Sequence, residues 1–133
     1  MKLAFADTAF YVAVVNPRDE MHAVATERAL GFRGTIITTE YVLIELGNRL
    51  ARSKDKPVYV ELIRQVHADP RTSVVPADPS LFQQGFELFA DRQDKDWSFT
   101  DCTSFVVMRE RGVTEALTAD RHFEQAGVVI LLK

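Results

Sequence analysis

Four acidic residues stand at positions from which they could hold a divalent cation together. Asp7 and Asp120 each follow a short apolar run. Asp101 follows a loop rich in acidic and hydroxyl residues, and Glu45 lies within an apolar stretch. Two carboxylates about 5 Å apart repel each other by roughly 3 kcal/mol at an effective dielectric of about 20, so a fold that gathers four of them needs bound cations. Because the chain has one cysteine and no histidine pair at ligand spacing, these oxygen ligands favour Mg²⁺ or Mn²⁺ over zinc.

A carboxylate site of this kind is suited to the hydrolysis of phosphodiester bonds. One cation can lower the pKa of a bound water to make a nucleophile, and a second, roughly 4 Å away, can stabilise the leaving oxygen. The hydroxyls of Thr8, Thr100 and Thr118 could orient ligands or water around the cations. Each of these hydroxyls could equally cap a turn or a helix.

Three of the acids also have a purely structural explanation. Asp101 falls in the first turn of a predicted helix, directly after Thr100 as its expected N-cap. Asp7 and Asp120 could likewise cap the segments that follow them. Taken singly, each acid is explained by capping more simply than by catalysis, so the case for chemistry depends on their convergence.

Glu45 is the acid that capping does not explain. A lone carboxylate on a half-buried helix is unfavourable by several kcal/mol unless it is paired. Arg49 stands at i+4 and could pair with it on the helix surface, so a simple ion pair stays open. Glu40 competes for the functional role, but it lies in the first helical turn, where the helix dipole already favours an acid. The sequence therefore favours Glu45.

The apolar pattern alternates between short strand-like runs and helical stretches. The runs predict strands at Leu3–Ala6, Thr35–Thr38, Thr72–Val75, Thr114–Thr118 and Val128–Leu131. Helical periodicity predicts helices at Thr8–Val15, Asp19–Phe32, Thr39–Arg52, Val58–His67, Pro79–Arg92 and Asp101–Arg111, with a short one after Asp120. This alternation predicts an α/β fold with a mainly parallel five-stranded sheet. Ligands collect at the carboxyl ends of such strands, where all the acids but Glu45 fall.

Length and composition indicate one domain over residues 1–133, with 47% of residues apolar and 26% charged. No apolar run approaches the roughly 20 residues needed to cross a bilayer, and Asp7 interrupts the N-terminal apolar run, so we expect a cytoplasmic protein without a membrane segment. The net charge of −3 does not favour a polyanionic substrate. Removing four cation-bound acids from the nineteen leaves fifteen against sixteen basic residues, so nucleic acid is not excluded either.

Four segments together resemble a known family of nucleases. They are Phe5–Thr8, Tyr41–Leu46, Asp96–Cys102 and Leu117–Phe123 followed by Gly127. The hydroxyl-Asp start of the third segment, combined with the fourth, is the more specific part, and Asp7-Thr8 is weak alone. Over nearly its whole length the chain resembles the PIN-domain nucleases, and especially the VapC-type toxins of bacterial and archaeal toxin–antitoxin pairs.

The resemblance implies an α/β/α sandwich with divalent-metal endoribonuclease activity. It places the family's acidic quartet, as catalytic residues and metal ligands, on Asp7, Glu45, Asp101 and Asp120. Asp96 becomes a further candidate metal ligand, and Asp94 a weaker one. The resemblance also implies a homodimer and inhibition by a cognate antitoxin protein, which composition and periodicity do not.

Basic residues near the acids could contact the phosphates of an RNA substrate. Arg49 and Arg52 lie near the end of the predicted helix that carries Glu45, and Arg121 follows Asp120. A solvated helix end, where the dipole favours cations, explains Arg49 and Arg52 more simply.

Two other functions on the same fold remain open. The chain could be a non-catalytic binding module whose acids only cap helices, or a PIN nuclease that acts in RNA processing rather than as a toxin. A phosphoacceptor receiver domain is set aside because no acidic pair stands beside Asp7 and no helix follows the last predicted strand. A haloacid-type phosphatase would need a second aspartate shortly after Asp7, where Ala9 and Phe10 stand.

Overall fold

An all-parallel five-stranded sheet forms the centre of the molecule. The computed structural model describes residues 2–133. The strands are β1 (Leu3–Ala6), β2 (Thr35–Thr39), β3 (Thr72–Val75), β4 (Glu115–Leu117) and β5 (Val129–Ile130), in the spatial order β3-β2-β1-β4-β5. Every strand pairing in this part of the chain is parallel, which confirms the predicted fold class.

Seven helices connect the strands within residues 2–133. They are α1 (Thr8–Val15), α2 (His22–Gly31), α3 (Glu40–Arg49), α4 (Lys56–Ala68), α5 (Pro79–Asp91), α6 (Phe99–Arg111) and α7 (Arg121–Gln125). Three consecutive residues of β1, Ala4, Phe5 and Ala6, are fully buried. Since successive side chains of a strand point to opposite faces, both faces of the sheet are covered.

The strand order creates a crevice between β1 and β4. The chain proceeds outward from β1 to β2 and β3, and then returns to the other side of β1 to form β4 and β5. At such a switch point, neighbouring connections leave in opposite directions, and ligands bind beyond the carboxyl ends of the two strands. Ala6 pairs with Leu117 at these ends. The register therefore puts the residues that follow each strand, Asp7 and Thr118, next to one another.

The N-terminus of α6 differs from the sequence prediction. Ser98, not Thr100, is the N-cap, because its hydroxyl accepts a hydrogen bond from the main-chain N–H of Asp101 at 3.0 Å. The Asp101 carboxylate accepts in turn from the main-chain N–H of Ser98 at 3.0 Å, which completes a capping box. Thr100 lies inside the first turn, and its carbonyl accepts hydrogen bonds from the Thr103 and Ser104 hydroxyls. At the other end, Gly112 adopts φ +67°, and the helix ends at Arg111, the residue at which the sequence predicted its end.

The start of α2 is also later than the periodicity predicted, at His22 instead of Asp19. The Asn16 side chain accepts from the main-chain N–H of Arg18, and the Asp19 side chain accepts from that of Met21. These two local turns compete with helix for the same backbone groups. No helix within residues 2–133 is long and apolar enough to cross a membrane.

Candidate active site

The four predicted acids line one pocket beyond the carboxyl ends of β1 and β4. The pocket is bordered by Asp7, Thr8, Ala9, Glu45, Arg49, Ser98, Asp101, Asp120 and His122. The four acids come from four different places, namely the loop after β1, α3, the start of α6, and the loop after β4. The convergence on which the sequence prediction depended is therefore present in the structure.

A single hydroxyl connects the two acids that follow β1 and β4. Thr118, which is fully buried, donates from Oγ1 to Oδ2 of Asp7 at 3.0 Å. Oγ1 of Thr118 also accepts a hydrogen bond from the main-chain N–H of Asp120 at 3.0 Å. Thr118 thus orients the Asp7 carboxylate and fixes the turn that carries Asp120.

Asp101 is held from two sides. Its Oδ2 accepts the capping hydrogen bond from Ser98 and lies 3.1 Å from Nδ1 of His122. The carboxylate of Asp120 caps the short helix α7 by accepting from the main-chain N–H of His122 at 2.8 Å. Both acids therefore have the capping roles that the sequence suggested, and both still border the pocket. Capping and metal binding are compatible here because each capping oxygen has a second lone pair and each carboxylate has a second oxygen.

Glu45 reaches the pocket from the middle of α3, together with Arg49. The two side chains form an i, i+4 ion pair at 3.8 Å, with 31% and 56% of their surfaces exposed. Such an exposed pair contributes about 0.2–1 kcal/mol to stability. One arginine also balances the charge of only one of the four acids that line the pocket. The Glu40 carboxylate instead accepts from the main-chain N–H of Ala77 at 2.7 Å and ties α3 to the loop before α5. The preference for Glu45 over Glu40 agrees with these positions.

Burial and mutual repulsion raise the pKa values of the two most buried acids. Asp7 is 4% exposed and Asp101 7%. Burial raises the pKa of Asp7 from 3.8 to about 7; a hydrogen bond from the Thr8 main chain opposes this shift, and the charge of Asp101 adds to it. Burial also raises the pKa of Asp101, against the hydrogen bond from the Ser98 main chain and with the charge of Asp120. Without a counter-ion, the charged forms of these two carboxyls are therefore unfavourable in the pocket.

The donor set and the space fit a divalent cation. Carboxylate oxygens are the ligands that hard cations prefer. The Thr8 hydroxyl, in a side chain that is 1% exposed, has no hydrogen-bond partner among residues 2–133. The pocket encloses about 200 Å³. That volume accommodates a cation with several waters, since each water takes about 30 Å³ in the liquid.

Three other predicted residues on the α6 side lie outside the pocket. Thr100 is in the first turn of α6 and does not border it. Asp96 is exposed, whereas the next residue, Trp97, is buried and contacts Phe105 and Gln125. Neither Asp96 nor Asp94, which pairs with Arg92, is among the residues that border the pocket.

The three arginines that were predicted to contact RNA lie in different places. Arg49 borders the acidic pocket, whereas Arg52 lines a different depression, beside Lys54 and Asn16. Arg121 is exposed and follows Asp120 directly, but it is not one of the residues that line the pocket. Of the three, the structure brings only Arg49 to the acids.

His122 is the site residue that the sequence prediction missed. Its Nδ1 lies 3.1 Å from Asp101 and 3.5 Å from Asp120. One ligand atom from each of these three residues lies within 4.8 Å of the other two. The three histidines of the chain are scattered and form no pair at ligand spacing, so none of them was predicted as a ligand. The sequence did contain one indication of its position. His122 follows the predicted cap Asp120 by two residues, so it lies in the first turn of the short helix and close to the Asp120 side chain.

Comparisons with known proteins agree with this site and fold. Residues 4–129 match the family model for the PIN domain. The 23S rRNA-specific endonuclease VapC20 of Mycobacterium tuberculosis is 30% identical to this chain over 128 residues, 96% of each protein. The crystal structure of that VapC20, described as a sarcin–ricin loop cleaving toxin, aligns with a TM-score of 0.86 and 27% identity over 96% of this chain and 97% of that one.

A second solved structure, FitAcB from Neisseria gonorrhoeae, aligns with a TM-score of 0.66 over 97% of this chain and 96% of that one. At 19% identity it supports the fold alone. The family match covers most of the chain, and the relative with 30% identity spans nearly all of it. This chain therefore belongs to the PIN domain family, in its VapC-type group of toxin ribonucleases.

Proposed function

We propose that this chain is an endoribonuclease that depends on Mg²⁺ or Mn²⁺ and hydrolyses RNA phosphodiester bonds in the acidic pocket. The observation that carries the proposal is the convergence of Asp7, Glu45, Asp101 and Asp120 on one pocket, with too few cationic side chains to balance them. We take residues 1–133 as one nuclease domain that works in the cytoplasm.

Each pocket residue then has a defined role. Asp7, Glu45, Asp101 and Asp120 would hold the cation. When bound, it neutralises charge at the reacting phosphate and lowers the pKa of a bound water. Thr118 keeps the Asp7 carboxylate oriented, and the unpartnered Thr8 hydroxyl is placed to bond a ligand or water. Arg49, which is more than half exposed at the pocket edge, can contact a phosphate of the RNA.

The first prediction concerns the acids. Asp7→Asn and Asp101→Asn should each lower the cleavage rate about a hundredfold or more, because the cation supplies several kcal/mol of transition-state stabilisation. Suitable substrates are a sarcin–ricin stem-loop of 23S rRNA, chosen because the VapC20 relative cleaves that loop, and a stem-loop with a scrambled loop sequence. EDTA should stop cleavage of the first, and Mn²⁺ should restore it.

The matched control is Asp96→Asn, which changes an acid outside the pocket and should cut as fast as the parent. Parental rates in both pocket variants would refute the site assignment. The alternative, a non-catalytic binding module, predicts no cleavage of any RNA and no rise in thermal stability at millimolar Mn²⁺, whereas a cation bound to the native state raises it.

The proposed partners are an RNA substrate, a cognate antitoxin protein and a second copy of the chain. Family membership supports the antitoxin. A surface feature supports the homodimer, since Phe82, Phe86 and Phe89 form an aromatic row along α5, with 51%, 50% and 46% of each residue exposed. The row has i, i+4, i+7 spacing, as in the seam between two packed helices.

The charges on α5 indicate that the aromatic row binds a protein surface and not RNA. The sequence of α5 contains two acids, Glu87 and Asp91, and no lysine or arginine to meet phosphates. Glu87 is the one charged residue that directly follows a phenylalanine of the row, and the side-chain amide of Gln83 donates a hydrogen bond to its carboxylate at 3.1 Å. Half-exposed phenylalanines contribute about 100 Å² each, about 300 Å² of the roughly 800 Å² that each partner commonly provides.

The second prediction tests this face. Phe86→Glu should convert a dimer into a monomer in sedimentation velocity at tens of micromolar protein, because it would bury two like charges at the seam. Leu30→Glu is the control, since Leu30 on α2 is 79% exposed but lies away from the row. A monomeric parent, or a dimeric Phe86→Glu variant, would contradict the proposed interface.

A further inference from the structure

The imidazole of His122 occupies the space between two carboxylates of the pocket. Its Nδ1 lies 3.1 Å from Oδ2 of Asp101 and 3.5 Å from Oδ1 of Asp120. The side chain is 32% exposed, and its own main-chain N–H is bonded to Asp120. The ring is therefore held at the pocket by the start of α7 and has access to solvent.

These spacings are those of neighbouring ligands around one cation. Ligands at about 2.1 Å from an octahedral cation are about 3.0 Å apart when they are adjacent. The distances from Nδ1 to the two carboxylate oxygens are close to that value. These two oxygens also accept the capping hydrogen bonds, and the second lone pair of each can contact the same ion as Nδ1.

A second, independent feature of the pocket indicates that a ligand is expected there. Thr8 borders the pocket and is 1% exposed, and its buried Oγ1 has no hydrogen-bond partner among residues 2–133. A buried hydroxyl without a partner is unfavourable by about 1–3 kcal/mol. A cation or one of its waters would supply the missing partner.

We propose that Nδ1 of His122 is a direct ligand of the cation held by Asp101 and Asp120, so that the site binds Mn²⁺ in preference to Mg²⁺. This inference rests on the proposed function and adds the identity of the metal to it. Mg²⁺ prefers oxygen ligands throughout, whereas an imidazole nitrogen favours first-row transition metals. The hydrogen bond between His122 and Asp101 is then the metal-free arrangement of two ligands.

Pulsed electron paramagnetic resonance of the Mn²⁺-loaded protein tests the ligand directly. A coordinated imidazole gives a ¹⁴N coupling on Mn²⁺, which a histidine that only orients Asp101 through a hydrogen bond does not give. We expect this coupling in the parent and its loss in His122→Asn. His67→Asn is the matched control and should keep it, since His67 is exposed on α4 and bonds to the Ile63 carbonyl.

Metal affinities measured by thermal shift complete the experiment. His122→Asn should weaken Mn²⁺ binding about tenfold or more while changing Mg²⁺ binding little, because only the nitrogen ligand is removed. Bound Mn²⁺ without a ¹⁴N coupling in the parent would overturn the ligand assignment and leave the proposed function standing. No binding of either cation would overturn both.

Discussion

At the scale of single residues, Thr118 shows how one hydroxyl can connect two acids. Its Oγ1 donates to Asp7 and accepts from the main chain of Asp120. Both partners lie in the pocket, and Thr118 itself is fully buried. The position of the Asp7 carboxylate therefore depends on a side chain that touches no substrate.

We predict that Thr118→Val lowers the affinity for Mn²⁺ about 10- to 100-fold, as is typical when a group that orients a metal ligand is removed. Valine has nearly the same shape, but it leaves the main-chain N–H of Asp120 without its acceptor, which should lower the free energy of unfolding by about 1–3 kcal/mol. Calorimetric titration with Mn²⁺ and urea unfolding measure the two effects.

Thr118→Ser keeps the hydroxyl and is the appropriate control. It should bind Mn²⁺ like the parent even if the lost methyl group costs some stability. If Thr118→Val binds Mn²⁺ as tightly as Thr118→Ser, the hydroxyl does not orient Asp7 and the connection described above has no functional role.

At the scale of elements, the start of α6 combines a structural and a chemical role. Asp101 belongs to the capping box with Ser98, and it also borders the pocket. The capping hydrogen bonds fix one side of the carboxylate before any ligand binds. A helix terminus can place a metal ligand in this way because capping uses only one of the lone pairs of the carboxylate.

Replacement of the two candidate caps should distinguish their roles. Ser98→Ala should lower the free energy of unfolding by about 1 kcal/mol, the usual effect of losing an N-cap hydroxyl. Thr100→Ala should have a much smaller effect, since the hydrogen bonds at Thr100 are made by its main-chain carbonyl. Urea unfolding of both variants gives the comparison, and a larger loss in Thr100→Ala would contradict the observed cap.

At the scale of the whole molecule, the acidic pocket makes the stability of the metal-free protein depend on pH. Burial raises the pKa of Asp7 from 3.8 to about 7, so the folded protein keeps a proton that the unfolded chain has already lost over this range. The free energy of unfolding therefore falls as pH rises from about 4 to about 7. The raised pKa of Asp101 acts in the same direction.

In EDTA, the protein should consequently be more stable at pH 5 than at pH 8, by an amount on the order of 3 kcal/mol for Asp7, or roughly 10 °C in melting temperature. Asp7→Asn should flatten this dependence because the amide does not titrate. Saturating Mn²⁺ should remove much of the loss at pH 8. Melting curves across this range measure all three, and a metal-free parent that is more stable at pH 8 would show the sign to be wrong.

Local patterns were sufficient for the elements, and they singled out the four acids that line one pocket in the structure. Short apolar runs and helical periodicity placed each strand and helix, with ends that differ by a few residues where turns or caps compete for the same backbone groups. Ser98 and Thr100 are both hydroxyl residues before the same helix, and the pattern could not rank them. In the structure, the Ser98 hydroxyl accepts the hydrogen bond from the main-chain N–H of Asp101, and Ser98 is therefore the N-cap.

The alternation of strands and helices in the sequence determined the fold class, and the residue types determined that the chemistry, if any, would use carboxylates and hard cations. Only the tertiary structure decided which side chains meet, since it brought in His122, left Asp96 in solvent and exposed the aromatic row of α5. The physical reason is that strand and helix signals act between near neighbours in sequence. The distance between Asp7 and Thr118, in contrast, depends on the register of β1 with β4, which is set by packing between segments more than a hundred residues apart.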